Sequence, residues 1–212
     1  MAGMSNYDRQ VDIARGIFLQ YDQQRMAEKF SLLADAAFFH LTYLNTPFRI
    51  CRKSGQIDEL IGNRWVECRN FGTVMTIYDL LCHGREDRLP PLSGQWTTVG
   101  GFAVAGSPSA DVFTNEYAAV FDTDLERLPM ACEKLGGILQ PRTAGADMTC
   151  LFPVTDFFSV ILQFWSGDEE FPPKICLLWD KNSMAYLLFE TTYYLQGDLL
   201  ERLKQILSFS KS

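Results

Sequence analysis

The sequence is short of the residues from which active sites are usually assembled. Only two histidines occur in 212 residues, His40 and His83, and both sit among apolar neighbours. There is no G-x-G-x-x-G, no G-x-x-x-x-G-K-[ST], no G-x-S-x-G and no H-E-x-x-H. Their absence removes the local signals for dinucleotide sites, P-loops, hydrolase elbows and zincin helices. Gly101 and Gly106 have a P-loop spacing, but Ser107 stands where a lysine would have to reach the phosphates. Cys82 and His83 are adjacent, so on a helix they point to different faces and make a poor nucleophile–base pair. Lysine and arginine number 19 against 26 aspartates and glutamates, for a formal net charge of −7 and no basic patch. Such a chain repels a phosphate backbone, and no nucleic-acid partner is expected.

Long apolar runs are missing too. The most apolar stretch, Phe157–Trp165, is nine residues and is interrupted by Ser159 and Gln163. A membrane helix needs about twenty apolar residues, so this stretch reads as a buried strand and no membrane partner is expected. The first residues, MAGMSNYDRQ, carry charge where a signal peptide is apolar, and the expectation is a cytoplasmic chain. Six cysteines, Cys51, Cys68, Cys82, Cys132, Cys150 and Cys176, include no C-x-x-C pair. They are expected to be reduced, behaving as small hydrophobes rather than as metal ligands.

What is present is the composition of an ordinary packed domain, 47% hydrophobic and 13% aromatic. A chain of 212 residues is most simply a single domain, 1–212. Residues 5 to about 35 read as helical, with Tyr7, Val11, Ala14, Ile17, Phe18 and Tyr21 at helical intervals. Ala36–Leu44 is apolar and of ambiguous type. Asn45-Thr46-Pro47 then ends the mainly helical part, 1–45. FRICRKSG and ELIGNRWVECRN read as strands turning at Ser54-Gly55 and Gly62-Asn63, with Trp65 and Glu67 on one face and Val66 and Cys68 on the other. A helix is predicted over Gly72–His83, and a loop over the Gly- and Pro-rich stretch Gly84–Gly106. Ser107-Pro108 would start a helix carrying Phe113, Tyr117, Val120 and Phe121. Thr123 and Glu126 form a capping-box pattern for another, whose start Pro129 could shift to near Leu128. Strand signals return in GGILQ, DMTCLFPV, DFFSVILQFW and KICLLWD. Asp198 with Glu201 reads as the cap of a last helix whose face is Leu199, Leu200, Leu203, Ile206 and Leu207. Helices and strands are segregated, which predicts an α+β domain with a mainly antiparallel sheet covered by the N-terminal helices and the C-terminal amphipathic helix.

Two segments could recognise a ligand. Asp168, Glu169 and Glu170 crowd a hairpin tip between Trp165 and the stiff Phe171-Pro172-Pro173. Like charges at a tip most simply face water, while carboxylates on stiff flanks would suit a cation or a donor-rich group. Trp96, with Gly100 and Gly101 after it, could stack on a flat group and offer backbone N–H donors. If the two segments meet in space, they would hold a ligand with a flat apolar part and a cationic or donor-rich part.

PPLSGQWTTVGGF and FFSVILQFWSGDEEFPPKICLLWD, with a terminal amphipathic helix, resemble domain-of-unknown-function family 3786, a prokaryotic family of about this length. The most specific pieces are W-S-G-D-E-E-F-P-P at Trp165–Pro173 and L-S-G-Q-W at Leu92–Trp96. The family has no established activity, so the likeness transfers no catalytic residue and names no cofactor. Some members are joined to a four-cysteine iron–sulfur module, which implies anaerobic, iron–sulfur or corrinoid-linked metabolism. This chain lacks the module. The resulting expectation is an accessory protein that binds a small ligand or a protein partner. The alternatives are an enzyme using Asp168, Glu169 or Glu170 as acid, base or metal ligand, and a structural homodimer.

Overall fold

A computed structural model describes residues 5–84, 89–102 and 114–209. The chain opens with α1 (Asn6–Gln20), closed by a reciprocal cap in which the Ser5 hydroxyl accepts from Asp8 N–H and the Asp8 carboxylate accepts from Ser5 N–H. Asp22 restarts the chain as α2 (Gln23–Phe30), accepting from Gln24 and Arg25 N–H, and Ser31 stops it with φ +50°. The helical stretch predicted to about residue 35 therefore ends at Phe30. Leu33–Ala34 (β1) and Phe38–Tyr43 (β2) are strands.

Thr46-Pro47 does not break the structure. It begins β3 (Thr46–Cys51), joined to β2 by a two-residue turn with Leu44 at φ +46° and Asn45 at φ +59°. Leucine is a poor residue for positive φ. Two contacts from elsewhere hold the turn: Leu44 N–H donates to Val154 O at 2.9 Å and Asn45 Nδ2 donates to Lys134 O at 3.0 Å. β4 (Ile57–Ile61) and β5 (Arg64–Glu67) complete a first sheet in the order β1-β2-β3-β4-β5, all antiparallel. Its turns use Gly55 and Gly62, both at positive φ as a tight reversal requires.

Asn70 caps α3 (Phe71–Cys82), where Val74, Ile77, Leu80 and Leu81 are buried as their spacing predicts. The stretch read as loop contains a short strand, β6 (Trp96–Thr98), and a 3-10 turn at Val99–Gly101. Ser107-Pro108, Gly106 and Phe113 lie outside the described residues. α4 runs Asn115–Thr123 and α5 Leu128–Lys134. Thr123 does not cap α5; its hydroxyl donates back to Val120 O at 2.7 Å, and α5 starts at Leu128 with Pro129 in its first turn. β7 (Ile138–Gln140), β8 (Met148–Thr155), β9 (Phe158–Trp165) and β10 (Lys174–Asp180) join β6 in a second antiparallel sheet, order β6-β10-β9-β8-β7.

The last helix, α6, spans Phe189–Phe209. Asp198 is not its cap but lies in its middle. The fold is α+β, with two antiparallel sheets and six helices among the described residues. α3 packs on α6, α1 on α3, and β2 against β8 joins the sheets. Phe39, Phe48 and Ile50 of the first sheet, Phe152, Phe158 and Phe164 of the second, and Leu195, Leu199 and Leu203 of α6 belong to one core. No helix of the described residues is long and apolar enough to cross a membrane.

Candidate functional site

The two sequence-predicted segments are shaped by carboxylates that hold backbone N–H groups of their loops. Asp180, fully buried at the end of β10, accepts from Gly94 N–H at 2.7 Å, Asn182 N–H at 2.8 Å and the Ser93 hydroxyl at 3.0 Å. Burial alone would raise its pKa, but these hydrogen bonds outweigh it and hold the carboxyl below the ordinary value. Lys181, Asn182 and Tyr186 add bonds to Gln95, Pro91 and Pro90, stapling PPLSGQ along its length.

The acidic turn has its own ties. Asp168 accepts from Glu170 N–H at 2.8 Å and Phe171 N–H at 2.7 Å, which lower its pKa, so its carboxylate is occupied in shaping its own turn. Ser166 N–H donates to Asp147 and Gly167 N–H to Asp122. A Cβ on Gly167 would lie 2.8 Å from Pro173 Cδ, which accounts for glycine in W-S-G. Glu169 and Glu170 are exposed, the arrangement of a solvated tip.

These segments do not meet. Trp96 stands opposite Asp180 across β6–β10, and Trp165 stands opposite Lys174 across β9–β10. From Lys174 to Asp180 the strand rises about 20 Å, beyond the span of one pocket. Asp168 lies further still, past Trp165. Only Gly100 and Gly101, in the turn after β6, come back alongside β10, and Gly101 is there because the Thr97 side chain fills the space a Cβ would need. The half-buried Trp165 ring carries Lys174 Nζ 5.8 Å from its centroid. The shared site expected from Trp96, Gly100, Gly101, Trp165, Asp168, Glu169 and Glu170 is therefore divided by the length of a strand.

A different concavity has the required shape. A groove of about 520 Å³ runs between α1, the C-terminal half of α3 and the start of α6. Ile13, Ile17, Met75, Leu188 and Tyr194 give it apolar walls, and Asp79, His83 and Glu190 supply polar groups. Ile13 and Ile17 of α1 and Leu188, just before α6, are 58%, 42% and 51% exposed, apolar side chains that the core leaves uncovered. Asp79 Oδ2 accepts from Leu188 N–H at 2.7 Å and the Thr191 hydroxyl at 2.6 Å, tying the entry of α6 to α3. Burial, then the neighbouring Asp79, pushes the Cys82 thiol up to about 12, so it is protonated at neutral pH. His83 Nε2 lies 3.3 Å from Met184 O.

A family model described as a domain of unknown function, DUF3786, matches residues 22–202. The chain belongs to the DUF3786 family. Comparison with curated proteins and with solved structures finds no match. The DUF3786 match begins at α2, so the α3 and α6 walls of the groove lie inside it and the α1 wall lies before it.

Inside the DUF3786 stretch, sequence reasoning missed the residues that organise the loops. Asp180 follows a strand and Asp79 sits in a helix, and neither stands in a recognisable pattern. Asp198 was visible but misassigned. Its buried carboxylate accepts from Thr73 Oγ1 at 2.7 Å and from Arg202 Nε at 3.0 Å, while Arg202 Nη2 reaches Thr73 Oγ1 at 3.1 Å. This closed triad ties α3 to α6. The Arg202 guanidinium also lies 5.7 Å from the Tyr43 ring, whose hydroxyl is pushed well up by burial and then by Asp198. Among the described residues, no three His, Cys, Asp or Glu side chains cluster as a metal site would need.

Proposed function

We propose that this chain is a binding module, an accessory protein that takes a small ligand or a partner segment into the α1–α3–α6 groove. The observation that carries this is the groove itself: about 520 Å³ with three exposed aliphatic side chains on its walls and the carboxylates of Asp79 and Glu190 beside them. That combination fits a ligand with an apolar body and a cationic or donor-rich end. Cys82 is held as a thiol, and Asp79 already accepts from Leu188 N–H and the Thr191 hydroxyl. The metabolic setting, anaerobic and linked to corrinoid or iron–sulfur chemistry, is carried by the family resemblance alone.

The test is anaerobic purification of the full chain followed by absorption spectroscopy and Nile red titration. Wild type is expected to bind one Nile red with enhanced fluorescence, and Ile17→Glu to lose it by at least about tenfold at an unchanged melting temperature. Equal dye binding by both proteins would refute the groove. A corrinoid or iron chromophore that leaves with Ile17→Glu would support the metabolic setting, and stoichiometric divalent metal held by wild type would favour an enzyme instead.

A further inference from the structure

Alternation along the second sheet sends one set of side chains into the core and the other outward. Phe158, Val160, Leu162 and Phe164 of β9 point inward and are fully buried. On the outward side the register aligns Ile138, Leu151, Ile161 and Leu178, one from each of four neighbouring strands, with Thr98 of β6 at the end of the row. Leu151, Ile161 and Leu178 are half-buried and Ile138 is 52% exposed. The loop before β8 covers one corner, where Gln163 Nε2 donates to Thr143 Oγ1.

Charge is nearly absent from this face. Asp180 is consumed by Ser93 and Gly94, and Lys174 lies at one end over the Trp165 ring. The other outward positions on these described strands are uncharged. In a chain that is 21% charged, an apolar, charge-poor sheet face has the composition of an interface centre.

The geometry points to a second copy of this chain as the occupant, packed face to face through the second sheet about a two-fold axis at Ile161. β9 is the middle of the five strands. An axis lying between the two faces, parallel to β9 and over Ile161, sets that residue near its own copy and places Leu151 against the partner's Leu178. The row is nearly palindromic and hence self-complementary, as an isologous contact requires. Two chains of net charge −7 repel each other, and this face lets them meet without opposing acids. Three long strands and two short ones give the face about 470 Å² in plan, from which the corners under Thr143 and under Ser93-Gly94 subtract and to which side-chain relief adds. A specific interface needs about 500 Å² per partner, so a contact at this lower limit is a weak, reversible dimer. It is separate from the groove and stands whether or not the groove binds a ligand.

Sedimentation of the full chain from about 1 to about 200 µM, a range that brackets micromolar association, tests this. The mass is expected to rise from 24.1 kDa towards twice that value. Ile161→Lys buries an uncompensated charge at the axis and should weaken association at least about a hundredfold. Ile138→Lys changes a side chain already exposed in the monomer, which guards against misfolding, and should weaken it about tenfold. Cys176 lies on the same face and Cys51 on the other sheet, so thiol labelling at Cys176 relative to Cys51 should fall at least about threefold as the dimer forms. A mass of 24.1 kDa at the highest concentration, a dimer that Ile138→Lys leaves intact, or a constant labelling ratio overturns the proposal.

Discussion

Replacing Asp180 by Asn removes one charge and one acceptor from the centre of the PPLSGQ clasp while keeping the shape of the side chain. The carboxylate takes Gly94 N–H on one oxygen and Asn182 N–H on the other, with the Ser93 hydroxyl between the two at 3.1 and 3.0 Å. An amide can keep one of these sides only; on the other its NH₂ faces an N–H donor. The loss is one charge-assisted hydrogen bond and one buried N–H left unpaired, each about 1–3 kcal/mol, so about 3 kcal/mol in all. For a chain of this length each kcal/mol moves the melting temperature by about 2–4 °C, giving a fall of about 6–12 °C. The folded pKa of Asp180 is depressed, so its stabilisation is fully present above the unfolded value of about 3.9 and is lost as pH falls through the lower folded value. Urea unfolding followed by tryptophan fluorescence at pH 7 and at stepwise lower pH measures both effects. The gap between wild type and Asp180→Asn should narrow below about pH 4. Adding Ser93→Ala to Asp180→Asn should cost less than the two changes taken separately, because they share the lost bonds. A gap under about 1 kcal/mol at pH 7, or one that persists undiminished at pH 3, would refute the clasp.

Two further outcomes are expected. Asp198→Asn leaves Arg202 buried without its counter-ion and should lower stability by about 3–5 kcal/mol, whereas a cap residue replaced by Asn would change it by a few tenths; chemical denaturation separates the two. In native protein at micromolar concentration and pH 8, thiol labelling read by mass spectrometry should modify Cys51 and Cys176 first, since both are half-buried and hydrogen bonds from the Ser54 hydroxyl and backbone lower the Cys51 pKa. Cys68, raised to about 11, Cys82, raised to about 12, and the buried pair Cys132 and Cys150 should react only on unfolding; prompt labelling of Cys82 would contradict its burial.

Much of the fold was legible because it follows from local pattern. Alternating or continuously apolar runs marked β7 to β10, Gly55 and Gly62 marked two turns, and the spacing of Val74, Ile77, Leu80 and Leu81 marked α3. The errors fall where distant groups replace local signals. The Leu44-Asn45 turn has no turn-forming sequence, and bonds to Val154 and Lys134 hold it. Asp198 reads in sequence as the start of α6, while the helix enters at Phe189, where Leu188 N–H and the Thr191 hydroxyl bond to Asp79, more than a hundred residues earlier in the chain.

By itself the sequence determined the α+β class, the antiparallel pairing of consecutive strands, the family and the poverty of catalytic motifs, because each depends on composition or on spacing within a few residues. Where side chains meet across the molecule was decided only by the tertiary structure. Two tryptophan- and glycine-bearing turns looked alike in sequence, yet the register of β10 sets them about 20 Å apart, since each residue of a strand adds about 3.3 Å along it. The groove needs α1 laid on α3 and α3 laid on α6, and the outward aliphatic row needs four strands in one register. Both surfaces are assembled from residues far apart along the chain, and local periodicity carries no information about which distant elements become neighbours.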